Sequence, residues 1–249
     1  MKAMVTWRRM IVTEGKLVWR DPAGVFLPLA LPLLIIVTYG VSSGGDAIEA
    51  GSGLSVVSAI GLPTGFVTIV AILGLVNVPS FLAAYRKEGV LRRLAVTPAR
   101  PSMVLASQII VNIVLAAIGV VLAVVVVALS FELDAPREVG WTIVAAVLTV
   151  AAMYGVGLLI AALAPSSSAA TALGLIVFLG TLSIGGGMIP VESLPGWLAE
   201  TGGYLPFGAG VQALRDSWRG NAPDVADLAV LGATAAVASV LAVRFFRWQ

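Results

Sequence analysis

Residues 103–130 read MVLASQIIVNIVLAAIGVVLAVVVVALS, an apolar run that contains no Asp, Glu, Lys or Arg. About 20 such residues in an α-helix cross the roughly 30 Å hydrocarbon core of a bilayer. The run is continuously apolar and lacks the alternation of a membrane-barrel strand. Backbone groups in lipid must bond within their own segment, so the run predicts a transmembrane helix.

Five further stretches have the same character, so the sequence predicts six transmembrane helices. Their ranges are 23–42, 62–84, 103–130, 140–163, 169–189 and 226–243. The composition agrees, because 59% of the residues are hydrophobic and 11% are charged, whereas soluble domains carry about 25% charged residues. The predicted fold class is an all-α membrane protein, with a single transmembrane domain over residues 1–249.

The distribution of Lys and Arg predicts the orientation in the membrane. With six spans both termini lie on one side, and twelve of the 15 basic residues fall on that side. The three on the other side are Arg137, Arg215 and Arg219. Cytoplasmic loops carry the excess of positive charge. We therefore expect a multi-pass protein of the cell membrane with both termini in the cytoplasm.

Two segments outside the spans have an amphipathic character. Residues 3–20 predict a helix lying in the membrane interface, with a basic face that includes Arg9, Lys16 and Arg20, and with Trp7 on the apolar face. Glu14 and Gly15 interrupt this pattern; an unstructured basic tail is the alternative. Residues 190–225 mix apolar residues with Pro and Gly, which predicts short helices at the outer interface.

Several chemistries are excluded by missing residues. The chain has no cysteine and no histidine, and it lacks the G-x-x-x-x-G-K-[ST] loop that cradles nucleotide phosphates. We expect no catalytic, cofactor-binding or metal-binding residues, and no ATP hydrolysis by this chain. No predicted span carries a charge near its middle, which disfavours a proton- or sodium-coupled carrier.

The second cytoplasmic loop, residues 86–101, contains the sequence EGVLRRLAVTP from Glu88 to Pro98. Its spacing predicts a short helical turn with apolar and charged faces, which Pro98 and Pro101 bring to an end. Such an element is either a docking surface or a loop that only sets the topology.

Polar and glycine residues within the spans are candidates for a transport pathway. Asn77 and Thr68 lie in the second span, where hydrogen bonding between helices is the simpler interpretation. Gly185, Gly186 and Gly187 weaken the fifth helix and predict its end or a break, as at a gate or a subunit interface.

The loop sequence resembles the E-x-G-T-L-E-x-L-x-x-T-P loop of type-2 ABC exporter permeases, which include daunorubicin-resistance permeases and polysaccharide exporters. Val90 stands where Thr is usual in that family, and Leu205 stands where Asn is frequent. A later segment resembles the family's L-P-x-W-L and A-L-R sequences before the last helix. The matching residues of that segment include Pro195, Trp197, Pro206 and Arg215.

The resemblance implies the membrane subunit of an ATP-driven exporter. Two copies, or one copy and a paralogue, would pair in the lipid, and two separate ABC ATPase subunits carrying ATP-Mg would dock beneath them. The 88–98 loop would be the coupling helix, beside the interfacial helix. Its coupling residues would be Glu88, Gly89, Leu91, Arg92, Leu94, Thr97 and Pro98.

The uncharged interior favours an amphipathic drug-like, natural-product or lipid-linked cargo, with no role for nucleic acid. A polysaccharide or glycolipid export permease is the alternative within the same family. An intramembrane enzyme would need a buried acidic or histidine cluster. A non-ATP-driven scaffold or channel would need no docked ATPase.

Overall fold

The computed structural model describes residues 11–18, 20–44, 48–49, 51–87, 101–188 and 194–245. Residues 11–18 are helical, and we call them the N-terminal segment. No strand is present in the described part of the chain, which confirms the all-α class. The helices are α1 (Pro22–Ser42), α2 (Val57–Lys87), α3 (Pro101–Ser130), α4 (Val139–Leu163), α5 (Ser167–Ile184), α6 (Gly196–Gly203), α7 (Pro206–Arg219) and α8 (Val225–Phe245).

Six of these helices, α1 to α5 and α8, are long and apolar enough to cross a membrane. They run back and forth, so the bundle has two ends. We call the end that carries the N-terminal segment, the close of α2, the start of α3 and residues 164–166 the basic end. The opposite end, with residues 131–138 and the described parts of 43–56 and 185–224, is the acidic end. The six predicted spans are confirmed.

Helix α2 is the central element of the bundle. In its most apolar window 89% of the residues are buried, compared with 17–44% in the other five crossing helices. It packs against α1, α3, α4, α5 and α7. The rest of this chain therefore covers α2 on nearly every side, whereas much of the surface of the other spans lies on the outside of the bundle.

Two π-helical turns, Val57–Gly61 and Leu73–Asn77, interrupt the α-helical hydrogen bonding of α2. The second turn is seated against two glycines of neighbouring helices. A Cβ on Gly157 of α4 would lie 1.8 Å from the Gly74 carbonyl oxygen, and one on Gly174 of α5 would lie 2.1 Å from that of Leu75. Both positions therefore require glycine, and π turns of this kind are frequent at functional sites.

The fifth span ends at Ile184, before the predicted boundary at 189. Gly185 is its C-cap, and Gly186 adopts a φ of +85°, a left-handed conformation that suits glycine. The Gly187 amide then donates to the Leu182 carbonyl at 3.0 Å. The glycine run closes the helix, as the sequence indicates.

The segment before the last span contains the two short helices α6 and α7. Pro195 is the N-cap of α6, and Pro206 is the first residue of α7, where its missing amide costs no hydrogen bond. Trp197 is 72% exposed, but most of α7 is buried between α4, α2 and α8. Helix α7 therefore belongs to the protein core at the acidic end.

Candidate functional site

A buried polar cluster joins three elements at the basic end. Glu14 of the N-terminal segment is 6% exposed, and its Oε2 atom accepts a 2.5 Å hydrogen bond from the Tyr85 hydroxyl of α2. The same oxygen accepts a hydrogen bond from Gln108 Nε2 of α3, which also lies 3.2 Å from the Tyr85 hydroxyl oxygen. Asn112 extends the cluster by donating to the Gln108 carbonyl at 2.8 Å. We call these four residues the Glu14 cluster.

Burial raises the pKa of the Glu14 carboxyl above its ordinary value, and the hydrogen bonds from Tyr85 and Gln108 offset part of that effect. The Tyr85 hydroxyl and the Gln108 amide are neutral, so neither of these hydrogen bonds brings a positive charge to the carboxylate. Glu14 is thus held by directional hydrogen bonds.

The last turns of α2 are also tied to α4 and α5. The Arg86 guanidinium donates to the Ala161 carbonyl at 3.3 Å and to the Ala164 carbonyl, which satisfies groups left open at the end of α4. Ser80 Oγ and Thr171 Oγ1 are 2.7 Å apart. Ser167 Oγ donates to the Ser80 carbonyl at 3.1 Å.

Asn77 connects α2 to α1. It is the last residue of the second π turn, and its Nδ2 donates to the Gly24 carbonyl at 2.8 Å. Residues 77–87 are therefore hydrogen-bonded to the N-terminal segment, α1, α3, α4 and α5. We call this part of α2 the hub. Its covalent continuation is residues 88–100, which join α2 to α3.

A cavity of about 450 Å³ opens beside the hub, between α1, α2 and α5. Polar groups of Asn77, Ser80 and Thr171 line it together with the apolar side chains of Leu27 and Phe81. The combination suits a molecule that has both polar and apolar parts.

A second cavity, of about 360 Å³, follows the same two outer helices, α1 and α5, toward the acidic end. It is mostly apolar and reaches Gly187 and Met188. The Tyr39 hydroxyl, on its wall, donates to the Gly186 carbonyl at 3.3 Å. The two cavities share no lining residue but follow the same pair of helices, and we call them together the α1–α5 cleft.

The predicted pathway residues differ in their relation to this cleft. Asn77 and the glycine turn lie along it. Thr68 is fully buried in α2, and its hydroxyl donates to the Thr64 carbonyl of its own helix at 2.7 Å. Its contacts are those of a helix interior.

The acidic end holds a charged cluster. The Arg219 guanidinium of α7 forms two hydrogen bonds with the Glu49 carboxylate, one of them 3.0 Å long from Nε to Oε2. Arg215, which the sequence analysis assigns to the outer segment, is buried with Nη2 3.9 Å from Glu49 Oε1. Burial alone would raise the pKa of Glu49, but the hydrogen bonds from Arg219 and Ser52, together with the charges of the two arginines, outweigh burial and lower that pKa below its ordinary value.

The predicted coupling residues Glu88, Gly89, Leu91, Arg92, Leu94, Thr97 and Pro98 lie outside the described residues, as do Trp7 and Arg9. Lys16 and Arg20, from the basic face of the N-terminal segment, are exposed. Glu14 and Val18, one turn apart, form its buried side. The interruption that Glu14 makes in the sequence pattern is therefore a point of contact with α2 and α3.

Sequence reasoning missed the Glu14 cluster because its members come from three separate segments. The available signal was an acid inside a basic amphipathic stripe. Gln108 and Asn112, four residues apart in a charge-free span, were a second signal that one face of α3 meets polar groups.

The comparison with known families agrees with the sequence resemblance. Residues 5–217 match the family model described as ABC-2 type transporter, which covers most of the chain. The search of curated proteins found no match.

Proposed function

Because the chain belongs to the ABC-2 type transporter family, we propose that it is the membrane subunit of an ATP-driven exporter. The family assignment and the six apolar helices make it a multi-pass transmembrane permease. Permeases of this family generally work with an ABC ATPase. Beyond that assignment, we propose that ATP supplies the energy, that transport is outward and that the cargo is amphipathic.

The basic end faces the cytoplasm in this proposal. Its described residues include Lys16, Arg20, Arg86 and Lys87, and the positive-inside rule places such clusters on the cytoplasmic side. The Glu49–Arg219 pair and α7 then face outward.

The hub is the single observation that most supports a coupling role for residues 88–98. A force applied to that loop reaches Lys87, and residues 77–87 are hydrogen-bonded to five other elements. The loop would be the coupling helix seated in an ATPase groove, with Leu91 and Leu94 supplying contact area and Glu88 and Arg92 supplying oriented charges. Two ATPase subunits and a second permease copy or paralogue would complete the transporter.

The α1–α5 cleft is the proposed route of the cargo within one chain. It is more polar beside Asn77 and mostly apolar toward Gly187. An amphipathic drug-like, natural-product or lipid-linked molecule fits this gradient, whereas a small ion would meet a charged lining residue only at Asp21, beside the basic end.

Co-purification of an ATPase tests the proposal. The full chain is extracted into nanodiscs from its native membrane, and a bound protein that carries a G-x-x-x-x-G-K-[ST] loop is identified by mass spectrometry. The native chain is expected to retain such a subunit. The variant Leu91→Asp/Leu94→Asp is expected to lose the subunit. Loss of an apolar anchor from a packed contact lowers the binding free energy by about 1–2 kcal/mol or more.

The matched control is Leu133→Asp/Val139→Asp, which places the same charges on exposed residues at the acidic end. This variant is expected to retain the ATPase. Failure of the native chain to bind any ATPase would overturn the proposal in favour of a scaffold or channel. Equal binding by the native chain and the loop variant would remove the coupling role from residues 88–98.

A further inference from the structure

Glu14 is an acid in the interior of the bundle without an evident need for charge there. An apolar side chain at the same place would avoid the cost of removing a carboxyl group from water. Replacing such groups by apolar residues is often neutral or stabilising. A carboxylate at this place therefore contributes orientation, because its oxygen fixes the positions of the side chains that donate hydrogen bonds to it.

The two donors to Glu14 stand on both sides of the 88–100 connection. Tyr85 lies in the last turn of α2 before the connection, and Gln108 lies in the second turn of α3 after it. Both donate to one atom, Oε2 of Glu14. Their mutual contact of 3.2 Å closes a triangle of polar atoms.

We propose that Glu14 is a positioning residue that fastens the N-terminal segment to both ends of the 88–100 connection, so that the three elements move as one body. The inference rests on the proposed function, because it concerns how ATPase movement would enter the bundle. Motion of the loop then carries the interfacial helix with it, and the cleft beside Asn77 receives both displacements together.

Apolar packing and hydrogen bonding make different contributions to the contact between the N-terminal segment and the bundle. Glu14 and Val18 face the bundle, and Val18 is part of the main apolar core. Apolar packing at Val18 holds the segment near α2, but it is not directional. The Glu14 hydrogen bonds add the fixed register that a rigid joint requires.

The first test uses the complex of the full chain with its co-purified ATPase in nanodiscs. Glu14→Ala is expected to keep the ATPase bound and to lower permease-dependent ATP hydrolysis about fivefold or more, the lower range for coupling between linked sites. Glu14→Gln is expected to keep native hydrolysis, because its amide oxygen can accept both hydrogen bonds. Val12→Ala, at a side chain 48% exposed in the same segment, is the matched control.

The second test replaces the hydrogen bonds by a covalent link. The chain contains no cysteine, so Glu14→Cys/Gln108→Cys creates one pair of thiols. Without a link this variant is expected to behave as Glu14→Ala does. A short bis-methanethiosulfonate reagent that bridges the thiols is expected to restore hydrolysis, and a reductant is expected to remove the gain in the same sample.

The outcomes separate the joint from the proposed function. If the native complex hydrolyses ATP and Glu14→Ala hydrolyses it at the same rate, the proposed positioning role of Glu14 is wrong, while the exporter assignment stands. Inhibition by the bridge would show that the segment must separate from α3 during the cycle, which also overturns the joint. If the native chain binds no ATPase, the proposed function fails first, and the joint fails with it.

Discussion

Two carboxylates at opposite ends of the bundle are held in different ways. Glu14 at the basic end is buried and accepts hydrogen bonds from the neutral groups of Tyr85 and Gln108. Glu49 at the acidic end is partly exposed and pairs with the Arg219 guanidinium, with Arg215 nearby. Burial raises the pKa of Glu14, whereas at Glu49 the hydrogen bonds it accepts and the charges of the two arginines outweigh burial and lower the pKa.

We call the acidic end, which the Glu49–Arg219 ion pair holds, the pinned end, and the basic end, which contains the Glu14 cluster, the jointed end. A bidentate carboxylate–guanidinium pair is strong and specific in geometry, so it fixes α7 against the described part of the 43–56 loop. Neutral donors around a single carboxylate oxygen fix the register of three elements without an ion pair. We infer that conformational change enters at the basic end, where the elements joined by Glu14 move as one body, and that α7 stays in place at the acidic end.

The largest expected effect comes from pushing α4 away from the second π turn of α2. Gly157→Val places a branched side chain where even a Cβ would lie 1.8 Å from the Gly74 carbonyl oxygen. Overpacking of this kind should destabilise the fold by about 3 kcal/mol or more. Thermal denaturation followed by fluorescence-detected size exclusion checks this prediction.

The control for that prediction is Gly140→Val in the same helix, because a Cβ at Gly140 meets nothing within 4 Å. Its melting temperature should stay close to that of the native chain. If both variants melt alike, the seat of the π turn against α4 does not contribute to the stability of the bundle.

The spans themselves were predictable because a run without charge can be read along the chain. The burial of those spans was not predictable in that way. Helices α2 and α3 are both strongly apolar, yet the rest of the chain covers α2 and leaves much of α3 on the outside of the bundle. The sequence places Phe207 in an interfacial segment, but its complete burial depends on α4 and α2 leaving room for α7.

The candidate site was predictable only in part for the same reason. Asn77 stands out as an amide in an apolar span, and the structure places it beside a cavity. Glu14, Tyr85 and Gln108 are far apart in the sequence, and no single span reveals their contact. A buried polar cluster of this kind needs the fold to bring its members together.

The pinned end predicts a large effect for loss of one charge. Glu49→Gln leaves the Arg215 and Arg219 guanidinium groups without their carboxylate, and Arg215 is mostly buried. We expect a loss of about 2 kcal/mol in the free energy of unfolding, since the buried Arg215 would lose its nearby carboxylate. Chemical denaturation in detergent measures this loss, and an unchanged midpoint would show that the Glu49–arginine contacts do not stabilise the fold.

The jointed end predicts a small effect for the same substitution. Glu14→Gln keeps the side-chain length and an acceptor oxygen for Tyr85 and Gln108, and its partners here are neutral. The expected change in the free energy of unfolding is below about 1 kcal/mol. A loss as large as that of Glu49→Gln would mean that Glu14 also is held mainly by charge.

The smallest expected effect is a pH dependence of opposite sign at the two ends. The lowered pKa of Glu49 gives stability that is present above its ordinary pKa of 4.5 and is lost as pH falls through the folded value. The raised pKa of Glu14 gives stability that is present below 4.5 and is lost as pH rises through its folded value. Melting temperatures of the native chain and each Gln variant, compared between about pH 3 and pH 8, reveal both terms.

The central claim is that an ATPase acts on this permease at its basic end, and site-directed photo-crosslinking tests it most directly. Single cysteines at the exposed residues Lys87, at the basic end, and Asn221, at the acidic end, carry a photoactivatable label on a chain with no native cysteine. The account predicts that the label at Lys87 captures the ATPase and that the label at Asn221 does not. Capture from Asn221, or from neither position in a complex that contains the ATPase, would contradict it.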